Sequence, residues 1–217
     1  MQNRTEENKN EVIEFTENET TVVLLNFILN EHVRNTHLFD EEISAITQIK
    51  NETKKLEFYA VRYLRNFKQI NLPISYNANG APFFNGSTTK ISISHSKELA
   101  VIALAPTPVG VDIELITERI VRIKDRFVSA AELNLFEVKN AKTYTIIWTI
   151  KEVLYKLSDL KQINFLADMN LLEQSEGLVT CQFKTSEGIR FVEIKFQELG
   201  NYIISFNPSK AYEIDRL

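Results

Sequence analysis

The spacing of apolar and polar residues changes period several times along the chain, and each change predicts an element. VIEFT at 12–16 reads as a short strand, and residues 19–32 carry a weak helical pattern. Through TKKLEFYAVRYLRNF at 53–67, Leu56, Ala60, Tyr63 and Phe67 recur at helical spacing and leave Lys55, Tyr59 and Arg62 on another face. The texture then turns to NLPISYNANGAPFFNGSTTK, with Asn79-Gly80 and Asn85-Gly86 as turn centres. Three short strands follow in ISISHS, LAVIALAP and VGVDIEL.

The second half opens on an S-x-x-E capping box, Ser129 with Glu132, flanked by Val128 and Leu133 as a hydrophobic staple; this predicts a helix over FVSAAELNLFEVK. Before it, ERIVRIKDRF places Arg119, Arg122 and Arg126 at i, i+3 and i+7, with Ile120, Ile123 and Phe127 one position later. That spacing predicts a helix with a basic stripe beside an apolar one. A longer helix covers TYTIIWTIKEVLYKL, with Ile146, Ile150, Val153 and Leu157 as its buried stripe and Trp148, Lys151, Glu152 and Tyr155 on another face. GLVTCQFKT, IRFVEIKFQEL and NYIISFNP then read as antiparallel strands. Each half is helices followed by about three strands, so the expected fold is α+β: two similar units, 1–105 and 106–217, packed as one globule.

Composition narrows the function. The 217 residues are 44% hydrophobic and 25% charged, enough for a sizeable core. The single cysteine, Cys181, excludes an internal disulfide and a clustered-cysteine zinc site and suits a reducing compartment. The start MQNRTEENKN lacks the apolar stretch of a secretory signal, and TVVLLNFIL is too short to span a bilayer; the expectation is a cytoplasmic protein without membrane contact. The six glutamates of residues 1–20, set against Arg4 and Lys9, account for the whole net charge of −4. The neutral remainder has no nucleic-acid footprint, which weakens the reading of a Mg²⁺-dependent nuclease.

The chemistry concentrates in two places. On a strand, Asp112 and Glu114 share one face and crowd two negative charges together. Alone, D-x-E also describes a half-buried strand with a wet face. On the long helix, Glu152 stands between Lys151 and Lys156, a pattern that also describes a solvated i,i+4 pair. Jointly they offer three carboxylates to a hard divalent cation, which prefers oxygen ligands, and two amines to phosphate.

ISHS at 93–96, G-V-D-I-E at 110–114, R-F-V-S-A-A-E at 126–132 and W-T-I-K-E-V-L-Y-K at 148–156 together resemble the 4′-phosphopantetheinyl transferase superfamily. The double-length type, named for its activation of surfactin synthetase, matches best. The resemblance implies a pseudo-dimer of two α+β halves with coenzyme A in the cleft between them. It implies a Mg²⁺-dependent transfer of the 4′-phosphopantetheine arm to a serine of an acyl or peptidyl carrier protein, releasing 3′,5′-ADP. A monomer is expected. The other reading is a catalytically idle relative that binds carrier or nucleotide without transfer.

Carried onto this sequence, the resemblance implies that Asp112, Glu114 and Glu152 hold Mg²⁺ against the coenzyme A diphosphate. Glu152 is the implied base, with Glu114 as the alternative; Lys156 neutralises or protonates the leaving group and Lys151 holds phosphate oxygens. His95 and Arg62 are implied at the 3′-phosphate, with Ser94 in the same motif and Lys54 or Lys55 a turn or two away. Ala81 departs from the pattern, standing where many relatives carry a basic residue. The basic and apolar edge at 119–127 suits an acidic helical carrier.

Overall fold

In the computed structural model, which describes residues 11–212, two antiparallel sheets lie against each other and each carries a long helix on its other side. Part of the acidic start, residues 1–10, lies outside the described residues.

The first sheet contains β1 (Val12–Glu17), β2 (Thr20–Asn26), β3 (Ile74–Tyr76), β4 (Pro82–Phe84), β5 (Lys90–Ser96) and β6 (Leu99–Ala105), in the order β1-β2-β6-β5-β4-β3. Between β2 and β3 run α1 (Asp40–Thr47) and α2 (Glu52–Phe67). The second sheet, in the order β7-β11-β10-β9-β8, joins β7 (Val111–Leu115), β8 (Met169–Ser175), β9 (Leu178–Thr185), β10 (Gly188–Leu199) and β11 (Tyr202–Phe206). Between β7 and β8 lie α3 (Ala130–Leu133) and α4 (Ala141–Leu157).

Three apolar layers follow from this order. One packs α2, through Ala60, Val61 and Leu64, on Val23, Leu25, Ile91 and Ile102. Another packs α4, through Ile147, Ile150 and Leu154, on Val179, Val192, Ile194 and Ile203. Between the sheets, Val22, Leu24, Val101 and Ala103 meet Val111, Ile113, Ile204 and Phe206. Asn51 and Asn140 cap α2 and α4, accepting from Lys54 N and Thr143 N.

Four expectations need correction. Residues 20–26 form a strand, because TTVVLLN is buried on both faces and its continuous apolar run mimics a helical pattern. The capping box at Ser129 forms with both of its bonds, yet the helix it starts is one turn long. ERIVRIKDRF makes two 3₁₀ turns, Ile120–Arg122 and Lys124–Arg126, so its exposed arginines form no α-helical stripe. Phe67, grouped by spacing with Leu56, Ala60 and Tyr63, ends α2 with 46% of its surface exposed. The order of elements also differs: β1 and β2 precede the helices of the first half, and β7 precedes those of the second.

Candidate active site

The acidic strand is the outer strand of the second sheet, and α4 crosses close behind its first residue. A Cβ on Gly110 would lie 2.9 Å from Val153 Cγ1 and from the Val153 carbonyl oxygen, so only glycine allows that approach. Val153 is flanked by Glu152, and Lys156 lies less than a turn further on; the close crossing is what brings both to the strand. Thr149 Oγ1, 2.7 Å from Ser205 Oγ, fixes the helix to β11 as well.

Lys156 Nζ donates to Asp112 Oδ1 at 2.8 Å and to the Val111 carbonyl at 2.7 Å. Asp112 is 5% exposed, and its second oxygen, Oδ2, is buried without a hydrogen-bond partner. Burial, the Asp112 charge and the Glu114 charge push Glu152 up to about 7, against the pull of Lys156. Burial and the Asp112 charge also raise Glu114, while the Ser96 hydroxyl, Lys156 and the Trp148 indole draw it down. Burial and the neighbouring Asp112 charge thus disfavour the ionised form of both glutamates, and a nearby positive charge would relieve this.

Among the described residues, no group of His, Cys, Asp or Glu side chains stands close enough to hold a metal ion as it is. The residues nonetheless fit one chemically. The set is all oxygen, it contains an orphaned buried carboxylate oxygen, and its two raised glutamates gain from a cation.

Lys151 does not join this group. It is fully buried, and its ammonium contacts Glu132 Oε1 at 2.7 Å, the Phe165 carbonyl at 2.6 Å and the Met169 carbonyl at 3.2 Å. Helical spacing placed it beside Glu152, but the 158–168 segment folds over that side of α4 and encloses it. Burial lowers its pKa and Glu132 opposes that.

A second cluster lines a cleft beside β5, where His95 stands between Ser94 and Ser96 and alternates to the other face of the strand. Lys54 Nζ lies 2.6 Å from Glu57 Oε2, and His95 Nε2 lies 3.4 Å from the same oxygen. Lys54, Phe58, Arg62, Tyr76, Gly80 and His95 line this cleft. Burial holds the His95 pKa down, the Glu57 charge raises it, and Lys54 and Lys156 lower it. Arg62 is only 2% exposed: its Nε donates to Glu42 Oε1 at 3.1 Å and its guanidinium lies 3.5 Å above the Phe58 ring. Arg62, expected at the 3′-phosphate, thus lines the cleft while sharing the Glu42 carboxylate with Arg65. Lys55 pairs with Glu52 at 2.9 Å, away from the cleft, so Lys54 is the lysine of this helix that faces it. The adjoining turn is organised by Asn77, whose Oδ1 accepts from Asn79 N and Ala81 N, with Gly80 at φ 81°.

A larger cleft of ≈ 590 Å³ joins the two regions, lined by Asn79, Pro82, Ile93, Glu152, Tyr155 and Lys156. Sequence reasoning missed Glu57, Ser96 and the Glu132–Lys151 pair. The serines carried a signal, since ISISHS places Ser92, Ser94 and Ser96 at period two beside D-x-E in order.

A buried acidic strand, a helix that brings a carboxylate and an amine to it, and a cleft lined by Lys54, Arg62 and His95 lie alongside one another. Residues 108–207 match the family model of the 4′-phosphopantetheinyl transferase superfamily. The chain is 33% identical over 98 residues to the 4′-phosphopantetheinyl transferase gsp of Aneurinibacillus migulanus, a similarity covering 43% of this chain and 40% of that relative's length. Asp112, Glu114, Glu132, Lys151, Glu152 and Lys156 all fall inside the family match; Lys54, Arg62 and ISHS lie before it. Among the described residues no helix is long and apolar enough to cross a membrane.

Proposed function

We infer that the protein transfers the 4′-phosphopantetheine arm of coenzyme A to a serine of an apo acyl or peptidyl carrier protein, releasing 3′,5′-ADP. The observation that carries this reading is the Lys156–Asp112 ion pair, with Glu114 and Glu152 within electrostatic reach of both, in a segment that matches the transferase superfamily model. The two sheets are read as the halves 1–105 and 106–217 of a pseudo-twofold unit of the double-length type, acting as a cytoplasmic monomer with coenzyme A between the halves.

Asp112, Glu114 and Glu152 would hold Mg²⁺, which supplies charge neutralisation and polarisation of the coenzyme A diphosphate. The chain's own groups do the rest. The carrier serine oxygen attacks the β-phosphorus, the bond from that phosphorus to the bridging oxygen breaks, and the bridging oxygen leaves on 3′,5′-ADP. Glu152 takes the serine proton, directly or through water. Lys156, anchored by Asp112 Oδ1 and the Val111 carbonyl, offers its charge to the leaving phosphate. Lys54 and His95 meet the 3′-phosphate, and Glu57 Oε2 holds both side chains at the cleft.

The test is to mix purified protein with apo carrier proteins, coenzyme A and Mg²⁺ and to weigh the carriers by mass spectrometry. Addition of one phosphopantetheine arm is expected. Coenzyme A binding without transfer to any carrier would point instead to an idle relative.

A further inference from the structure

Strand β5 turns Ser92, Ser94 and Ser96 toward the outer edge of β7, a strand of the other sheet. An outer strand leaves a row of backbone N–H groups without a strand partner. Here serine hydroxyls take the place of carbonyls. Ser92 Oγ accepts from Val111 N at 3.0 Å, Ser94 Oγ from Ile113 N at 3.3 Å and Ser96 Oγ from Leu115 N at 3.2 Å.

A hydroxyl can accept and donate at once. Ser94 passes its own proton to Asp112 Oδ1 at 2.8 Å, and Ser96 passes its proton to Glu114 Oε2 at 2.9 Å. In both cases the acceptor is the side chain of the residue just before the amide that the serine caps. The rule explains Ser92 too: the residue before Val111 is Gly110, which has no side chain to receive a proton. The ladder therefore has one purely structural rung and two that also orient carboxylates.

We propose that Ser94 and Ser96 are positioning residues for the acidic pair. Each holds one carboxylate oxygen by a hydroxyl whose rotation is already set by a backbone amide. At Asp112 the other oxygen, Oδ2, is left buried without a protein donor and available to a cation. Such outer hydrogen bonds to metal-holding groups are worth roughly 10- to 100-fold in affinity or activity. The same ladder sets the offset of the two sheets, so the carboxylates are registered against the half that carries Lys54 and His95. This inference rests on the functional reading above.

The experiment compares Ser92→Ala, Ser94→Ala and Ser96→Ala in the full chain. Thermal unfolding gives the structural loss, and titration with Mn²⁺ alone, followed by electron paramagnetic resonance, gives cation affinity without turnover. All three variants are expected to melt at lower temperature. Ser94→Ala and Ser96→Ala should bind Mn²⁺ about 10-fold more weakly, with kcat falling more than the KM for coenzyme A rises; Ser92→Ala should bind Mn²⁺ as wild type does. Ser96→Thr, which keeps the hydroxyl, should recover the affinity that Ser96→Ala loses. Should Ser94→Ala fail to fold, the Ser96 variants, at the end of the strand, decide the matter alone. Equal Mn²⁺ affinity in all three alanine variants, or an equal loss in all three, would overturn the assignment. A wild type that binds Mn²⁺ with the expected serine dependence but modifies no carrier would leave the positioning role standing and remove the transferase reading. A wild type that binds no Mn²⁺ would overturn both.

Discussion

Lys156 Nζ lies 2.8 Å from Asp112 Oδ1, an ion pair that ties the last turn of α4 to the outer strand of the second sheet. It is a lysine side chain in the acidic cluster, and Glu114 and Glu152 both feel its charge. Lys156→Met should therefore lower kcat on the order of 10²-fold, as removal of a positioned charge donor does, with a smaller change in the KM for coenzyme A. The metal-free variant should also melt lower at pH 8. Steady-state kinetics with a carrier substrate check the first point, and an unchanged kcat would take Lys156 out of the chemistry.

Glu152 makes the stability of the metal-free protein depend on pH. Its folded pKa of about 7 lies above the ordinary 4.5, so between those values the folded chain holds a proton that the unfolded chain has released. Stability of the metal-free protein is thus lost from this group as pH rises from 4.5 toward 7. Glu152→Gln cannot ionise, so its melting temperature should match wild type near pH 4.5 and exceed it by several degrees at pH 8. Added Mg²⁺ should raise the wild type at pH 8 and leave the variant almost unmoved. A variant no more stable than wild type at pH 8 would mean the carboxylates do not crowd one another.

Glu42 behaves in the opposite sense. Burial raises its pKa, but bonds from Arg65 and from the Ile74 and Phe39 amides outweigh that and leave it below the ordinary 4.5. Its stabilisation is present above that value and disappears as pH falls through the lower folded pKa. Arg62 and Arg65 both lean on this carboxylate, at 3.1 Å and 2.7 Å. Glu42→Ala leaves two buried guanidiniums short of a partner and should cost roughly 3–5 kcal/mol in urea unfolding. Glu42→Gln should lose less and should flatten the fall in stability below pH 4.5.

The Lys151–Glu132 pair predicts non-additivity. Both side chains are almost fully buried, and Lys151 also holds the Phe165 and Met169 carbonyls. Removing one partner strands the other charge, so Lys151→Met and Glu132→Gln should each cost several kcal/mol. The double variant should cost less than the two single losses added together. Additive losses in urea unfolding would show that the pair is not coupled.

Why Lys151 misled and Asp112 did not is a matter of range. D-x-E, the Ser129 capping box and the apolar stripe of α4 are local patterns, and local geometry alone turns them into structure. Lys151 sits one residue from Glu152, and helical periodicity assigns it to the same arc; its enclosure depends on a loop that returns from Leu157 to Met169 across it. The buried partner of Arg62 was not legible for the same reason, because Glu42 arrives from another helix. The helical reading of residues 19–32 failed because a strand buried on both faces has no alternation to display. Ser94 was picked out by its motif alone; its bonds to β7 need the two sheets assembled.

His95 and Lys54 give the prediction that separates recognition from chemistry. Both reach Glu57 Oε2, which places an imidazole and an ammonium at one end of the joined clefts and leaves the acidic strand to the reacting phosphates. Their task would be to hold the 3′-phosphate, which takes no part in bond breaking. His95→Ala and Lys54→Ala should therefore raise the KM for coenzyme A by roughly 10-fold each while kcat stays close to wild type. The same variants should act almost as wild type does on 3′-dephospho-coenzyme A, which lacks the group they meet. Glu57→Gln sharpens the test: it frees the Lys54 ammonium for an incoming anion but removes the charge that raises the His95 pKa, so whatever change it makes in the KM for coenzyme A should be absent for the dephospho form. Equal losses on the two substrates would place His95 and Lys54 away from the 3′-phosphate and return this cleft to a structural role.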